Sequence, residues 1–227
     1  MVLRYLLRKF ANNSKKGSWA NKFRNKRFLI LKQLMDYDIN KNYSILDVGG
    51  TEIYWENMNF IKQNVHITLL NLNKVETKTK NIESVLGDAT NMSNYNDNSF
   101  DIIHSNSVIE HVGSFSNQEN MANEIKRVSK SYFIQTPNYY FPIEPHFLFF
   151  GFQFLPIKLR AFLVRHFRLG WYSKIDDYQK SIETVESIRL LTKKELTRLF
   201  PEAKIYKEKI FYLTKSFIVY YGFNDSH

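Results

Sequence analysis

The chain contains no cysteine, which excludes disulfides, thiolate zinc sites and cysteine nucleophiles. It has eight glycines and five prolines in 227 residues, so a glycine pair or a proline turn stands out where it occurs. No apolar run approaches the roughly 18 residues that a membrane-spanning helix needs. The first ten residues are basic and partly apolar, but Arg4, Arg8 and Lys9 interrupt them and no small-residue cleavage site follows. They are read as something other than a signal peptide, and a cytoplasmic protein is expected. Acidic residues are missing from two stretches. Residues 1–35 hold ten Lys or Arg and no acid, and Pro145 to Ser173 carries Lys158, Arg160, Arg165 and Arg168 without one.

What is present reads as one domain with room for a substantial core. The net charge is +10 and aromatics make up 16%. A basic surface of this kind is either simply solvated or faces an anionic partner. Residues 1–10 place Val2, Leu3, Leu6, Leu7 and Phe10 on one helical face, and Ser18 to about Tyr37 repeats the helical spacing with Phe23, Arg27, Ile30, Leu31 and Leu34. After that, short apolar runs alternate with helical or loop segments. Strands are predicted at Ile45–Val48, Val65–Leu70, Ser84–Leu86, Phe100–His104 and Ser131–Gln135, with a helix around Met121–Val128. This alternation argues for a doubly wound, mostly parallel α/β sheet. Thr192 with Glu195 forms a capping-box pattern opening a helix through Phe200. Ala203–Ile210 and Ser216–Tyr221 then read as a closing antiparallel pair.

The first strand runs through Asp47 directly into Gly49-Gly50-Thr51. In an open α/β sheet, ligands bind beyond the carboxyl ends of the strands. A dinucleotide site wants three spaced glycines to seat a pyrophosphate. Here two adjacent glycines follow a fixed negative charge, which suits a cationic ligand with a single ribose.

Several segments, in order, carry a resemblance. They are Ile45-Leu46-Asp47-Val48-Gly49-Gly50-Thr51, Val85-Leu86-Gly87-Asp88-Ala89, Ser99-Phe100-Asp101 through Glu110-His111-Val112, Gln135-Thr136-Pro137-Asn138, Phe141-Pro142-Ile143-Glu144-Pro145-His146-Phe147, Leu191 through Leu196, and Leu213 through Phe217. Together they resemble a class I S-adenosylmethionine-dependent methyltransferase, similar to the small bacterial "type 11" enzymes. The resemblance implies a seven-stranded Rossmann-like sheet and S-adenosylmethionine as cofactor. Along the chain it implies N-terminal helices over 1–40, a cofactor-binding core over 43–138, an acceptor-side insert over 139–185, and a closing helix and strand pair over 186–223.

By the same resemblance, Asp47, Gly49, Gly50 and Thr51 line the methionine and ribose end of the cofactor. The family usually has a further glycine where Thr51 stands. Asn71, with Leu72 beside it, takes the place of an acid that would hold the ribose hydroxyls. Its neutral contact is expected to be about 1 kcal/mol weaker. Asp88 and Ala89 meet the adenine, and Ser105 and Asn106 form the floor beside the methyl. A related group of methyltransferases holds a divalent metal with Glu-x-x-Glu-His, but Ser107 occupies the first glutamate's place. Two ligands make a poor hard-cation site, so no metal is expected, and His111 is read as packing under the cofactor or holding the acceptor. Glu144 and His146 lie just past strand five, where a carboxylate-held imidazole suits proton removal from an acceptor. His66, His104 and His166 are read as core or edge residues.

The aromatic run Phe147–Leu155 is too short to span a bilayer. It is read as a small second core, as a lid burying the acceptor or, with residues 1–10 and the basic stretch 147–172, as peripheral contact with the inner membrane face. The acceptor is therefore expected to be a small molecule or a lipid- or glycan-linked one. Nucleic acid is disfavoured, because the Asn/Asp-Pro-Pro-aromatic motif of base-amino methylation is absent. An RNA methyltransferase and a non-catalytic binding protein on the same fold are the alternatives.

Overall fold

A computed structural model describes residues 19–223. The amphipathic segment read at residues 1–10 lies outside the described residues. Helix α1 (Trp19–Met35) leads to β1 (Tyr43–Val48), α2 (Glu52–Asn57), β2 (Val65–Asn71), β3 (Ile82–Leu86) and β4 (Phe100–Asn106). A 3₁₀ turn (Ile109–His111), α3 (Phe115–Val128) and β5 (Ser129–Pro137) follow. Next come β6 (Ile143–Glu144), β7 (Phe149–Phe150), a 3₁₀ turn (Phe152–Phe154), α4 (Ile157–His166) and α5 (Tyr178–Glu186). The chain closes with α6 (Lys193–Leu199), β8 (Lys204–Ile210) and β9 (Leu213–Tyr221).

Seven strands form one sheet in the order β3-β2-β1-β4-β5-β9-β8. The first five run parallel, and β9 and β8 are antiparallel. The order reverses between β1 and β4, so the crevice beyond their carboxyl ends is where such a sheet binds a ligand. Successive side chains of a strand point to opposite faces, and both faces of β1 are apolar. Leu46 and Val48 pack with Ile103 and Ile134 against Met121, Ala122 and Ile125 of α3 and Leu196 of α6. Ile45 packs with Ile67, Leu69 and Phe133 against Phe28 and Leu31 of α1 and Trp55 of α2. Helix α6 opens with the capping box that the sequence predicts, Thr192 and Glu195 bonding each other's backbone.

Two differences from the sequence reading matter for the site. β4 continues two residues past His104, because Ser105 and Asn106 pair with Ile134 and Gln135 of β5. The stretch 139–172, where the sequence predicts no regular element, holds the β6–β7 hairpin and α4 over a third core of Phe147, Phe152, Ala161, Val164 and Leu169. The phenylalanine run is thus split. Phe147 and Phe152 are inside, while Phe150 and Phe154 face outward. Of the three structural histidines, His104 is buried in the sheet, whereas His66 and His166 lie at the surface.

Candidate functional site

Beyond β1, β2 and β3 lies a cleft of about 540 Å³, within the usual range for small-molecule sites. Gly49, Asn71, Leu72, Asp88 and Ala89 line it, joined by Leu70, Gly87, Val108 and His111. Five of the ten residues expected to meet the cofactor are therefore at the wall. Asp47, Gly50, Thr51, Ser105 and Asn106 are not, and their surroundings explain why.

The Asp47 carboxylate points into the protein. Oδ1 bonds His104 Nδ1 at 2.7 Å and Oδ2 accepts from Trp55 Nε1 at 2.8 Å. The residue is 1% exposed, so both oxygens serve the turn. Gly50 lies against that carboxylate, where a Cβ would sit 1.8 Å from Asp47 Oδ2. Gly49 supplies the left-handed step of the turn, at φ +70°, and a Cβ there would meet Val108 Cγ2 at 2.4 Å. Thr51 is extended at φ −138° and caps α2 without a side-chain bond. A glycine is not required there, so the departure from the family pattern leaves the loop intact.

Asn71 donates Nδ2 to the Gly50 carbonyl at 3.0 Å, which leaves its amide oxygen as an acceptor at the cleft wall. Asp88 uses Oδ1 to bind the backbone and hydroxyl of Thr90, at 2.8 and 2.9 Å. Its other oxygen remains. Glycines at 49 and 87 make room for Val108 and Leu70 of the wall, Asn71 and Asp88 carry acceptors, and Leu72 and Val108 are apolar. That set suits a nucleoside with hydroxyls, an amino-bearing base and an apolar ring face.

Ser105 is fully buried in β4 with an unbonded hydroxyl. Asn106 is tied by its side chain to Arg27, which the sequence reading treated as one position on a helical face. The Arg27 guanidinium grips Glu208 at 2.9 and 2.7 Å and bonds Asn106 and Gln135 at 2.8 and 3.0 Å. It joins α1 to the ends of β4, β5 and β8. The signal for it was present, since an arginine on the apolar stripe of a helix must find a partner inside. Arg24, one turn earlier, also lies near Asp47, and burial followed by the like charge of Arg27 lowers its pKa.

A second cleft, about 670 Å³, opens on the other side of residues 111–114. Gly113, Ser114, Glu144, Phe147, Arg160 and Arg189 are among its walls. Beside this segment Glu110, His111 and His146 come together, their ligating atoms all within 4.8 Å of one another. The His111 and His146 rings meet edge to face at 4.7 Å. Glu144 orients His146: Oε1 takes Nδ1 at 2.6 Å, and Oε2 accepts the backbone N–H groups of His146 and Phe147 at 2.8 and 2.6 Å. The insert braces this loop from behind. Trp171 N donates to the His146 carbonyl, and a Cβ on Gly170 would meet that carbonyl at 2.2 Å.

Glu110 is completely buried, and burial raises its pKa. Oε2 accepts from Thr136 at 2.9 Å, and Oε1 has no partner. Crowding by protein atoms and then the like charge of His146 lower the pKa of His111. Burial alone would lower that of His146, but the hydrogen bond and charge of Glu144, aided by Glu110, raise it. The sequence paired Glu144 with His146 correctly. It did not bring Glu110 to them, because that contact depends on the loop after β5 folding back over the 3₁₀ turn.

Residues 46–132, from β1 into β5, match the family model described as a methyltransferase domain. No curated protein matches the chain. Among solved structures, the CurJ carbon methyltransferase is 10% identical over 92% of this chain and 56% of its own, with a TM-score of 0.55. A methyltransferase from an antibiotic biosynthesis pathway of Anabaena variabilis is 14% identical over 79% and 63%, with a TM-score of 0.49. A SAM-dependent methyltransferase from Aquifex aeolicus is 13% identical over 86% and 87%, with a TM-score of 0.46. This chain thus spans less than two thirds of the first two proteins. The matched strands and turns build the cleft beyond β1, β2 and β3, and residues 46–132 carry a methyltransferase domain.

Proposed function

We propose that the chain methylates a hydroxyl- or amine-bearing small or lipid-linked acceptor seated in the second cleft. The observation that carries this is that His111 and Val112 line one cleft while the adjoining Gly113 and Ser114, with Glu144, line the other, and that Glu110 and His146 come close to His111. When bound, the cofactor supplies a methyl group already activated on a positive sulfur. The protein's share is then alignment, which supplies up to about 7–11 kcal/mol in well-oriented cases. Gly49 and Gly87 let the cofactor approach the backbone, Asn71 holds the ribose, and Asp88 and Ala89 hold the base. Asp47, Gly50, Thr51, Ser105 and Asn106 act from behind the wall by fixing the turn and the end of β4. Glu144, His146 and His111 hold the acceptor atom and assist loss of its proton.

The second cleft also suggests the acceptor's character. Arg160 lies on its wall with a buried Nε that has no hydrogen-bond partner. Such a group suits an acceptor bearing a phosphate or carboxylate. Outside the cleft, Phe150, Phe154, Phe162, Phe167 and Trp171 are exposed near Lys158, Arg165 and Arg168. This surface fits docking at an anionic bilayer face, where a lipid-linked acceptor resides. Among the described residues no helix is long and apolar enough to cross a membrane.

The test is transfer of labelled methyl from S-adenosylmethionine to soluble and lipid extracts, kept separate. Label in either fraction that requires Arg160 is expected. Absence of label from both, from a chain that binds S-adenosylhomocysteine, overturns the catalytic reading. Co-sedimentation with anionic vesicles, for the full chain and a chain lacking residues 1–17, tests membrane contact, and failure of both to sediment removes it.

A further inference from the structure

We propose that Glu110, His111 and His146 bind a divalent transition-metal cation, such as Zn²⁺ or Mn²⁺, where His111 borders the first cleft. Three donors converge there from two separate segments, the 3₁₀ turn after β4 and the loop after β6. Their ligating atoms all lie within 4.8 Å of one another. A cation about 2.1 Å from each donor places donor pairs at most about 4.2 Å apart. The donors thus stand within a few tenths of an ångström of coordination spacing.

The chemistry of each donor fits. Glu110 Oε1 is buried without a hydrogen-bond partner, while Thr136 holds the other oxygen and fixes the carboxylate plane. A buried carboxylate oxygen left unbonded is costly unless something cationic meets it. His146 is held at Nδ1 by Glu144, which leaves Nε2 as the ligating atom. Ligating imidazoles characteristically present their other nitrogen to a carboxylate in this way. Neither ring nitrogen of His111 is hydrogen-bonded among the described residues, and the ring is open to the cofactor cleft.

Two imidazoles and one carboxylate favour a borderline transition cation over Mg²⁺, which prefers oxygen donors. The sequence pattern at residues 107–111 offers only two ligands, and the third, His146, is supplied by the fold. Three protein ligands also leave coordination positions free. Resting on the proposed methyl transfer, this makes a hydroxyl-bearing acceptor the fitting substrate class. A bound cation would make a hydroxyl at an open position easier to ionise, and with both imidazoles holding the cation the proton would leave to solvent.

The test uses the full chain stripped of metal and titrated with Co²⁺, Zn²⁺ or Mn²⁺ alone. Stoichiometric binding is expected, with Co²⁺ giving visible ligand-field absorption. Glu110→Gln keeps size and the Thr136 bond, and His146→Ala removes one ligand. Each is expected to weaken binding at least tenfold. Glu144→Gln is expected to weaken it about 10–100-fold. Binding of S-adenosylhomocysteine and the circular dichroism spectrum, measured on the same samples, show that each variant is folded. No stoichiometric binding by the wild-type chain, or equal binding by folded Glu110→Gln and His146→Ala, overturns the proposal. Since S-adenosylhomocysteine binding is read separately, failure of the metal site and failure of the cofactor site are distinguished.

Discussion

Gly50→Ala is expected to damage the fold more than Gly49→Ala, although Gly49 carries the positive φ. The added Cβ at position 50 falls 1.8 Å from Asp47 Oδ2 and 2.1 Å from Cγ. That carboxylate cannot swing aside freely, because it is bonded to His104 at 2.7 Å and to Trp55 at 2.8 Å. Either the turn moves or both bonds are lost. Hydrogen bonds to a charged group contribute about 1.5–3 kcal/mol each, so the loss is about 3–6 kcal/mol. A chain of this size loses roughly 2–4 °C per kcal/mol, which puts the fall in Tm on the order of 10 °C. At Gly49 the left-handed conformation costs about 1–2 kcal/mol. The clash there is with a terminal methyl of Val108, which can rotate. Thermal melts of both variants, Asp47→Ala and the Asp47→Ala/Gly50→Ala double variant complete a cycle. The double variant is expected to be more stable than the sum of the two penalties by about 1–3 kcal/mol. A Gly50→Ala Tm within about 2 °C of wild type, or penalties that add within about 0.5 kcal/mol, refutes the reasoning.

Asn71→Asp is expected to weaken S-adenosylhomocysteine binding, the reverse of what the family's acid at this position implies, because a carboxylate would face the Gly50 carbonyl that the amide now bonds at 3.0 Å; tighter binding by calorimetry would contradict this. Arg27→Met leaves Glu208, 1% exposed, without its guanidinium, and denaturant unfolding is expected to show a loss of about 3–5 kcal/mol. Equal stability would mean that the network contributes little. The pKa of Lys215 is lowered to about 8 by burial and then by Arg27. The folded chain therefore gives up a proton that the unfolded chain keeps up to about 10.4, so this residue's penalty is present below pH 8 and relieved as pH rises. Lys215→Met is expected to stabilise by roughly 1–3 kcal/mol at pH 7, with the advantage shrinking between pH 8 and 10; a constant advantage sinks the assignment.

The parallel core was legible because buried strands such as Ile45–Val48 are nearly continuous apolar runs and the turns after them carry Gly49-Gly50 and Gly87-Asp88. Helix α6 was legible from its capping box. Helix α4 was not, since its exposed face carries Leu159 and Phe162 and so gives no clear polar-apolar stripe. At the site, sequence proximity places Asp88 and Ala89 together on the cleft wall and Glu144 beside His146. It failed where a side chain's role depends on what folds over it. Asp47 reads as a ligand-facing charge, yet Trp55 and His104 claim both its oxygens. Arg27 and Glu208, far apart in sequence, are partners only once α1 lies across the end of β8. The same long-range folding adds His146 to Glu110 and His111.

The central claim is that the cleft beyond β1, β2 and β3 holds S-adenosylmethionine. It is tested most directly by calorimetric titration of the full chain with S-adenosylhomocysteine, beside Gly87→Leu. A Cβ at position 87 already meets Leu70 Cδ1 at 2.5 Å, and a larger side chain would fill the wall. Saturable binding at one site per chain, weakened at least tenfold by the substitution, is the predicted result. No saturable binding, or the same affinity in folded Gly87→Leu, contradicts the account.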